Sequence, residues 1–348
     1  MSINRRWTKL ATRSLLSLVA ILLLSIVVST TANFVLVHHN RRLFPPPGKL
    51  YSIGGYAMHL YCLGTGSPTV ILEAGLGDDW LIWRAVQSPL SKATRVCSYD
   101  RAGLGWSDPR PEPRDSDHIT DELHSLLAKA GVDSPIILMG HSAGGFHIRD
   151  YATKHPQGIM GLVFVDASTP EVFDQLPPEL NKPAVNLKWH KMQAVLGILR
   201  LRGKCGVVDS ASQAYAAWLK SDGCLLSTLT TEEREWAGYE PSGRETAGTG
   251  PFGAVPVLIF SEDPNYFPPY WTDYFPADSY PSFARPWSSL QERLKRLSTR
   301  SRRIVARRSG HVVQIDRPDL VVREVTRMVR SIQGVDSDAT DYGSTRTE

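Results

Sequence analysis

The chain's 348 residues are 42% hydrophobic and 21% charged, and the formal net charge is +4. One large domain of roughly 250–300 residues plus an appendage fits that length, with enough apolar side chain for a substantial core. The small basic excess gathers at the N-terminus and in "RRIVARR" (302–308); membrane topology and a solvated strand end account for it, so nucleic acid is not an expected partner.

In chain order, Arg5, Arg6, Lys9 and Arg13 come first and a largely apolar run from Leu15 to Val37 follows. About 20 such residues cross the ~30 Å hydrocarbon core as a helix. A cleaved signal peptide is the rival reading, with an apolar core at Leu15–Val28 and small residues at Thr30 and Ala32. The apolar character resumes at Phe34-Val35-Leu36-Val37, which favours a retained signal anchor. The expected division is a basic segment 1–13, a transmembrane helix 14–37 and a linker 38–48. Arg41, Arg42 and Lys49 lie beyond the run, so the charge rule only slightly favours a cytoplasmic N-terminus. The body is expected outside the cytoplasm, held to the membrane by one pass.

Pro45-Pro46-Pro47-Gly48 is a stiff breaker before the folded body. "LYSIGGYAMHLYCLG" then reads as a β-hairpin around Gly54-Gly55. Apolar runs follow at 69–75, 95–100, 135–142, 161–167, 255–262 and 302–308. They are continuous rather than alternating, which predicts strands covered on both faces. Helical segments interleave: Ile119, Leu123, Leu126 and Leu127 share one face, as do Val321, Val325, Met328 and Ile332. The fold class is therefore α/β, a mostly parallel twisted sheet with helices on both faces. The core spans 49–169 and 253–333. Residues 170–252 carry apolar helical pieces without a core strand and read as an inserted helical lid. The polar tail 334–348 is expected to be disordered.

There are four cysteines. Cys205 and Cys224 suit a disulfide in an exported protein, while Cys62 and Cys97 are either a second pair or two small buried hydrophobes. No spacing matches a zinc site, and neither metal nor cofactor is expected.

The chemistry centres on Gly140-His141-Ser142-Ala143-Gly144. Ser142 ends an apolar strand and opens a helix, a sharp turn that clears its hydroxyl, and Gly140 and Gly144 leave room for neighbouring backbone. A serine hydroxyl needs a base. His311, in Ser309-Gly310-His311 just past the last strand, is the candidate. His118, His124 and His147 sit in predicted helices, and His141 is read as structural. An oxyanion needs two fixed donors; the N–H groups of Ala143 and Leu76 supply them, Leu76 lying in the loop Ala74-Gly75-Leu76-Gly77, where Gly75 allows close approach.

These residues, with "YDRAGLGWSD" (99–108) and "AGLGDDWLIWRAV", resemble the α/β-hydrolase superfamily over roughly 49–332, specifically its lid-bearing serine hydrolases. Ala74 stands where many members have histidine, which leaves the backbone donor intact. Asp100, Arg101 and Ser107 are expected to brace their turn. The resemblance offers two positions for the acid that orients His311: Asp166 in "VFVDAS" and Asp263 in "LIFSEDPN". Both stay open, with Asp166 slightly favoured. The implied activity is hydrolysis of a small carboxylic ester through an acyl-enzyme. Amide or peptide cleavage, acyl transfer and a non-catalytic binding role are the alternatives. Epoxide hydrolases and dehalogenases of this fold need aspartate at 142. The aromatic-rich segment 264–287 is expected either to wall the pocket or to pack an irregular loop.

Overall fold

The computed structural model describes residues 2–110, 113–132, 135–183, 185–205, 223–269, 280–335 and 345–348. It forms two compact units, Pro46–Val185 with Thr230–Glu348, and Met1–Pro45 with Asn186–Leu229.

The first unit is built on a sheet of β1 (Lys49–Ile53), β2 (Tyr56–Leu63), β3 (Thr69–Glu73), β4 (Val96–Tyr99), β5 (Ile136–His141), β6 (Ile159–Val165), β7 (Val257–Ser261), β8 (Ser301–Val305) and β9 (Thr345–Thr347). Their order across the sheet is β1-β2-β4-β3-β5-β6-β7-β8-β9. The first hairpin and the β2–β4 pair are antiparallel, and every later pair is parallel. The continuous apolar runs have the expected cause: every residue of β3, β5 and β7 is buried. Side-chain alternation divides them between two cores. Ile71, Leu138, Phe164 and Ile259 meet Leu123, Leu126 and Ile148 on one face. Val70, Ile137, Met139, Val163 and Phe260 meet Leu320, Val321 and Val325 on the other. Helix Ser116–Ala130 starts where the Asp115 carboxylate accepts the His118 N–H and stops at Gly131 in a left-handed turn.

The order β4-β3-β5 matters for function. From β3 the chain steps one way to β4 and then crosses back to β5, so the loops after β3 and β5 open into one crevice, where open parallel sheets bind ligands.

Cys62 and Cys97 face each other in the β2–β4 register and form a disulfide. Exchanging both for alanine is expected to cost about 2–5 kcal/mol of unfolding free energy. Urea titration checks this, and an unchanged midpoint would contradict it.

Three expected boundaries shift. Thr345–Thr347 of the tail pair with β8 as strand β9, while 336–344 lie outside the described residues. The pairing uses backbone groups, with the Glu348 carbonyl accepting from Arg307 N and Arg317 Nη1, so a polar sequence gave no sign of it. Among the described residues the segment 170–252 does not stay together: 186–205 and 223–229 group with the N-terminal helix, and the others with the sheet. Residues 206–222 are outside the described set. Finally, the basic segment, the apolar run and the start of the linker form one helix, Ser2–Leu43, because nothing before Pro45 breaks it.

In the second unit, the stretch Trp7–Leu43 is long and apolar enough to cross a membrane. Its C-terminal half carries the short helices Leu187–Val195 and Ile198–Leu201, and Cys205 and Cys224 form a disulfide.

Candidate active site

Ser142 sits between β5 and the helix Gly144–Lys154 with φ +52°, a left-handed conformation rare for a residue with a side chain. Such a residue costs on the order of 1–3 kcal/mol and persists only where its surroundings fix it. Here they do. The Ser142 N–H donates to the Val165 carbonyl, and its own carbonyl accepts from Gly145 N and Ser168 N. A Cβ on Gly140 would stand 2.5 Å from the Gly144 carbonyl oxygen, and one on Gly144 2.8 Å from the Ala74 carbonyl oxygen. Both glycines are there because backbone passes too close for any side chain. Gly75 serves the same end: a Cβ there would lie 3.2 Å from Ser142 Cβ, so the loop after β3 is seated against the serine.

Leu76 and Ala143 line one small cavity with Phe146, His147 and Tyr239. Its volume is about 10 Å³, room for a single water-sized group. Arg101 fixes the loop on the Leu76 side. Its Nη1 donates to the Ala74 carbonyl and Glu73, its Nη2 to the Gly75 carbonyl, and its Nε to Glu235 at 2.7 Å. Glu235 in turn accepts the Gly77 N–H at 2.7 Å. The loop's carbonyls are thus drawn toward a buried guanidinium. Asp100 and Ser107 brace the adjacent turn as expected, with Asp100 accepting the Trp80 and Trp106 N–H groups. Glu235 carries no motif and lies 134 residues from Arg101, so sequence reasoning missed it.

His311 and Asp166 come together. His311 Nδ1 lies 2.7 Å from Asp166 Oδ2. Asp166 follows β6, also in a left-handed conformation (φ +43°), and is fully buried. Its Oδ1 accepts the Glu262 N–H at 2.9 Å, and Oδ2 also accepts from Trp287 Nε1 at 2.8 Å. With Nδ1–H committed to the carboxylate, Nε2 is the ring's basic nitrogen. Asp263 is not brought to the imidazole. Its oxygens accept Arg308 N at 3.1 Å and Asn265 N at 3.0 Å, while its N–H donates to the Ser309 carbonyl, so it ties down the loop that carries His311.

A model of the α/β hydrolase fold matches residues 68–193. The chain has the α/β-hydrolase fold. It is 27% identical over 298 residues to "Probable transporter efuK" of Hormonema carpetanum, an alignment covering 80% of this chain but 41% of that protein's length. An AB hydrolase superfamily protein of Gibberella zeae is 25% identical over 285 residues, 76% of this chain and 87% of the other. Among solved structures, a thermophilic esterase from Thermogutta terrifontis shares the fold, with TM-score 0.56 and 18% identity over 82% of this chain and 98% of its own.

Several other histidines lie in different surroundings. His141 is buried, which pulls its pKa below the ordinary value, and its Nε2 meets the His311 carbonyl at 3.2 Å. Burial, then the nearby Arg101 and Arg114, hold His147 well below the usual range, and it pairs with Ser116 Oγ. His118 contacts Asp115, and His124 stacks on His155. From the aromatic segment, Trp287 packs edge-on against His311 with ring centroids 5.7 Å apart and joins an apolar cluster with Phe146, Val172 and Leu290. Residues 270–279 lie outside the described set.

Glu262 is the second residue the sequence did not flag. Burial, reinforced by the charge of Asp166, pushes its carboxyl well above the usual range, and Tyr280 OH donates to it at 2.9 Å. Burial and the neighbouring Asp166 charge thus favour the protonated form of Glu262. A raised folded pKa means the folded chain keeps a proton that the unfolded chain releases. Stability from this group thus falls as pH rises from the ordinary glutamate range toward the raised value. Glu262→Gln is expected to flatten that fall, gaining stability on wild type at pH 8 relative to pH 4.5. Urea titration of both proteins at the two pH values reads it, and parallel curves would refute the assignment.

Proposed function

We propose that this protein of the α/β-hydrolase fold is a membrane-anchored serine esterase acting on small carboxylic esters. The observation that carries the reading is the His311–Asp166 pair at 2.7 Å, in the unit that also holds Ser142 at a strained strand-to-helix turn against Gly75. In this reading His311 Nε2 takes the Ser142 hydroxyl proton as Oγ attacks the ester carbonyl. The N–H groups of Leu76 and Ala143 receive the oxyanion. His311 then gives the proton to the departing alkoxide, releasing the alcohol and leaving an acyl group on Ser142. A water, deprotonated by the same nitrogen, attacks that acyl carbonyl and frees the acid and the serine. Asp166 holds the imidazole tautomer and stabilises the imidazolium, itself remaining unprotonated.

The narrow cavity beside Leu76 and Ala143 is bordered by Tyr239 and Ser242 of the helix Leu226–Thr246. In this reading that helix covers the oxyanion side of the site and helps keep water from the reacting bond. The helix Trp7–Leu43 is read as the anchor, and two disulfides suit a catalytic body in an oxidising compartment outside the cytoplasm.

A panel of p-nitrophenyl esters of graded acyl length tests the activity. Turnover of at least one is expected from the full chain, and turnover that persists in Ser142→Ala would defeat the assignment.

A further inference from the structure

Asn33 is a polar residue in the last part of the apolar run, and it is buried, with 7% exposure. At the depth of hydrocarbon an amide left without partners costs several kcal/mol, so what satisfies it is informative. Its Nδ2 donates to the Ala194 carbonyl at 2.9 Å, and its Oδ1 accepts from Arg200 Nε at 2.7 Å. One turn earlier, Ser29 Oγ donates to the Leu196 carbonyl at 2.6 Å. The helices Leu187–Val195 and Ile198–Leu201 are therefore fixed to the N-terminal helix around residues 29–33 by side-chain hydrogen bonds.

That attachment sets their depth. A ~30 Å hydrocarbon core entered near Leu15 takes about 20 residues and is left near residue 34. Residues 29–33 then stand in the last turns of the span, and the attached helices lie at the boundary between acyl chains and headgroups. Their surface fits that layer. Trp189, Met192 and Val195 recur on one side of the first helix and are exposed, and Leu201 is 83% exposed. The other side, with Leu187, Gln193 and Ala194, is buried. A short helix that buries one side against protein and exposes tryptophan, methionine and valine on the other is expected where that second side meets lipid. Lys188, Lys191, Arg200, Arg202 and Lys204 supply positive charge, and no acidic residue occurs from 187 to 205. That charge complements anionic headgroups, and tryptophan favours the same layer.

We propose that residues 187–204 form a second membrane contact, an arm lying in the bilayer interface and latched to the anchor helix through Asn33. The proposal rests on the reading that the N-terminal helix spans the membrane, and it commits to anionic lipid as the occupant of the arm's exposed side.

The test uses the full chain in vesicles of phosphatidylcholine with about 30% phosphatidylglycerol. Single cysteines at Trp189→Cys, Leu201→Cys and, as a control, the exposed Asp121→Cys carry an environment-sensitive fluorophore. Lipids bearing a nitroxide near the headgroup are expected to quench the labels at 189 and 201 several-fold more than the label at 121. Quenching equal to the control, in protein that floats with the vesicles, overturns the arm alone. Protein that does not float overturns the arm and the anchor together. Blue-shifted but unquenched labels in cross-linkable dimers assign the surface to a second copy and overturn the lipid assignment. Leu201 packs on little, so at least that variant keeps its fold.

Discussion

Asp166→Asn is expected to lower kcat on the best ester by about four orders of magnitude, with Asp263→Asn costing roughly tenfold or less. The two aspartates are the same residue type at the ends of neighbouring strands, but their oxygens face different donors. Asp166 Oδ2 accepts hydrogen bonds from His311 Nδ1 and the Trp287 indole N–H, and Oδ1 accepts one from the Glu262 N–H. An asparagine there can turn an NH2 toward the imidazole, which then has to accept at Nδ1 and carries its proton on Nε2, the wrong side for a base. Folding is expected to survive, since the substitution keeps shape and one acceptor. Asp263 instead caps backbone N–H groups at residues 265 and 308, and an asparagine oxygen still meets one of them. Its loss loosens the loop carrying His311 without changing the tautomer. Steady-state kinetics of the two variants, with circular dichroism as the control for folding, separates these roles. A larger loss in Asp263→Asn would mean that the acid lies after β7.

Ser142→Ala should cost still more, on the order of 10⁶ in kcat, leaving only the residual rate that an oxyanion site and binding can provide. The same position predicts an opposite effect on stability. Ser142 holds φ +52°, which glycine adopts without penalty. Ser142→Gly is therefore expected to be inactive and more stable than wild type by about 1 kcal/mol, a strain the native chain keeps for its hydroxyl. Thermal or urea unfolding of the wild type and the glycine variant measures it, and a less stable glycine variant would show that the turn is not strained.

Much of this arrangement could be read from residues alone, for identifiable reasons. Strands buried on both faces leave continuous apolar runs, so β3, β5, β6 and β7 are visible in the sequence. The serine turn was visible because its crowding demands Gly140 and Gly144, and those demands appear as letters. Which aspartate meets His311 was not, since Asp166 and Asp263 both follow apolar strands. What separates them is the φ of residue 166 and an indole from residue 287, neither of which has a local signature. The grip of Arg101 and Glu235 on the loop after β3 was hidden for the same reason, being long-range and charged within an otherwise unremarked helix. The disulfide Cys62–Cys97 depended on the β2–β4 register, which periodicity does not fix. The grouping of residues 186–205 with the N-terminal helix has no signature in composition, which cannot show that Asn33, a lone amide in an apolar run, finds its partners at residues 194 and 200.

A fluorophosphonate probe tests the central claim most directly, because it reacts with a serine activated as a nucleophile and needs no knowledge of the substrate. The account predicts one covalent adduct on the folded chain, located at Ser142 by peptide mass spectrometry and lost in Ser142→Ala. An unlabelled wild-type protein, or an adduct that survives that substitution, would contradict it.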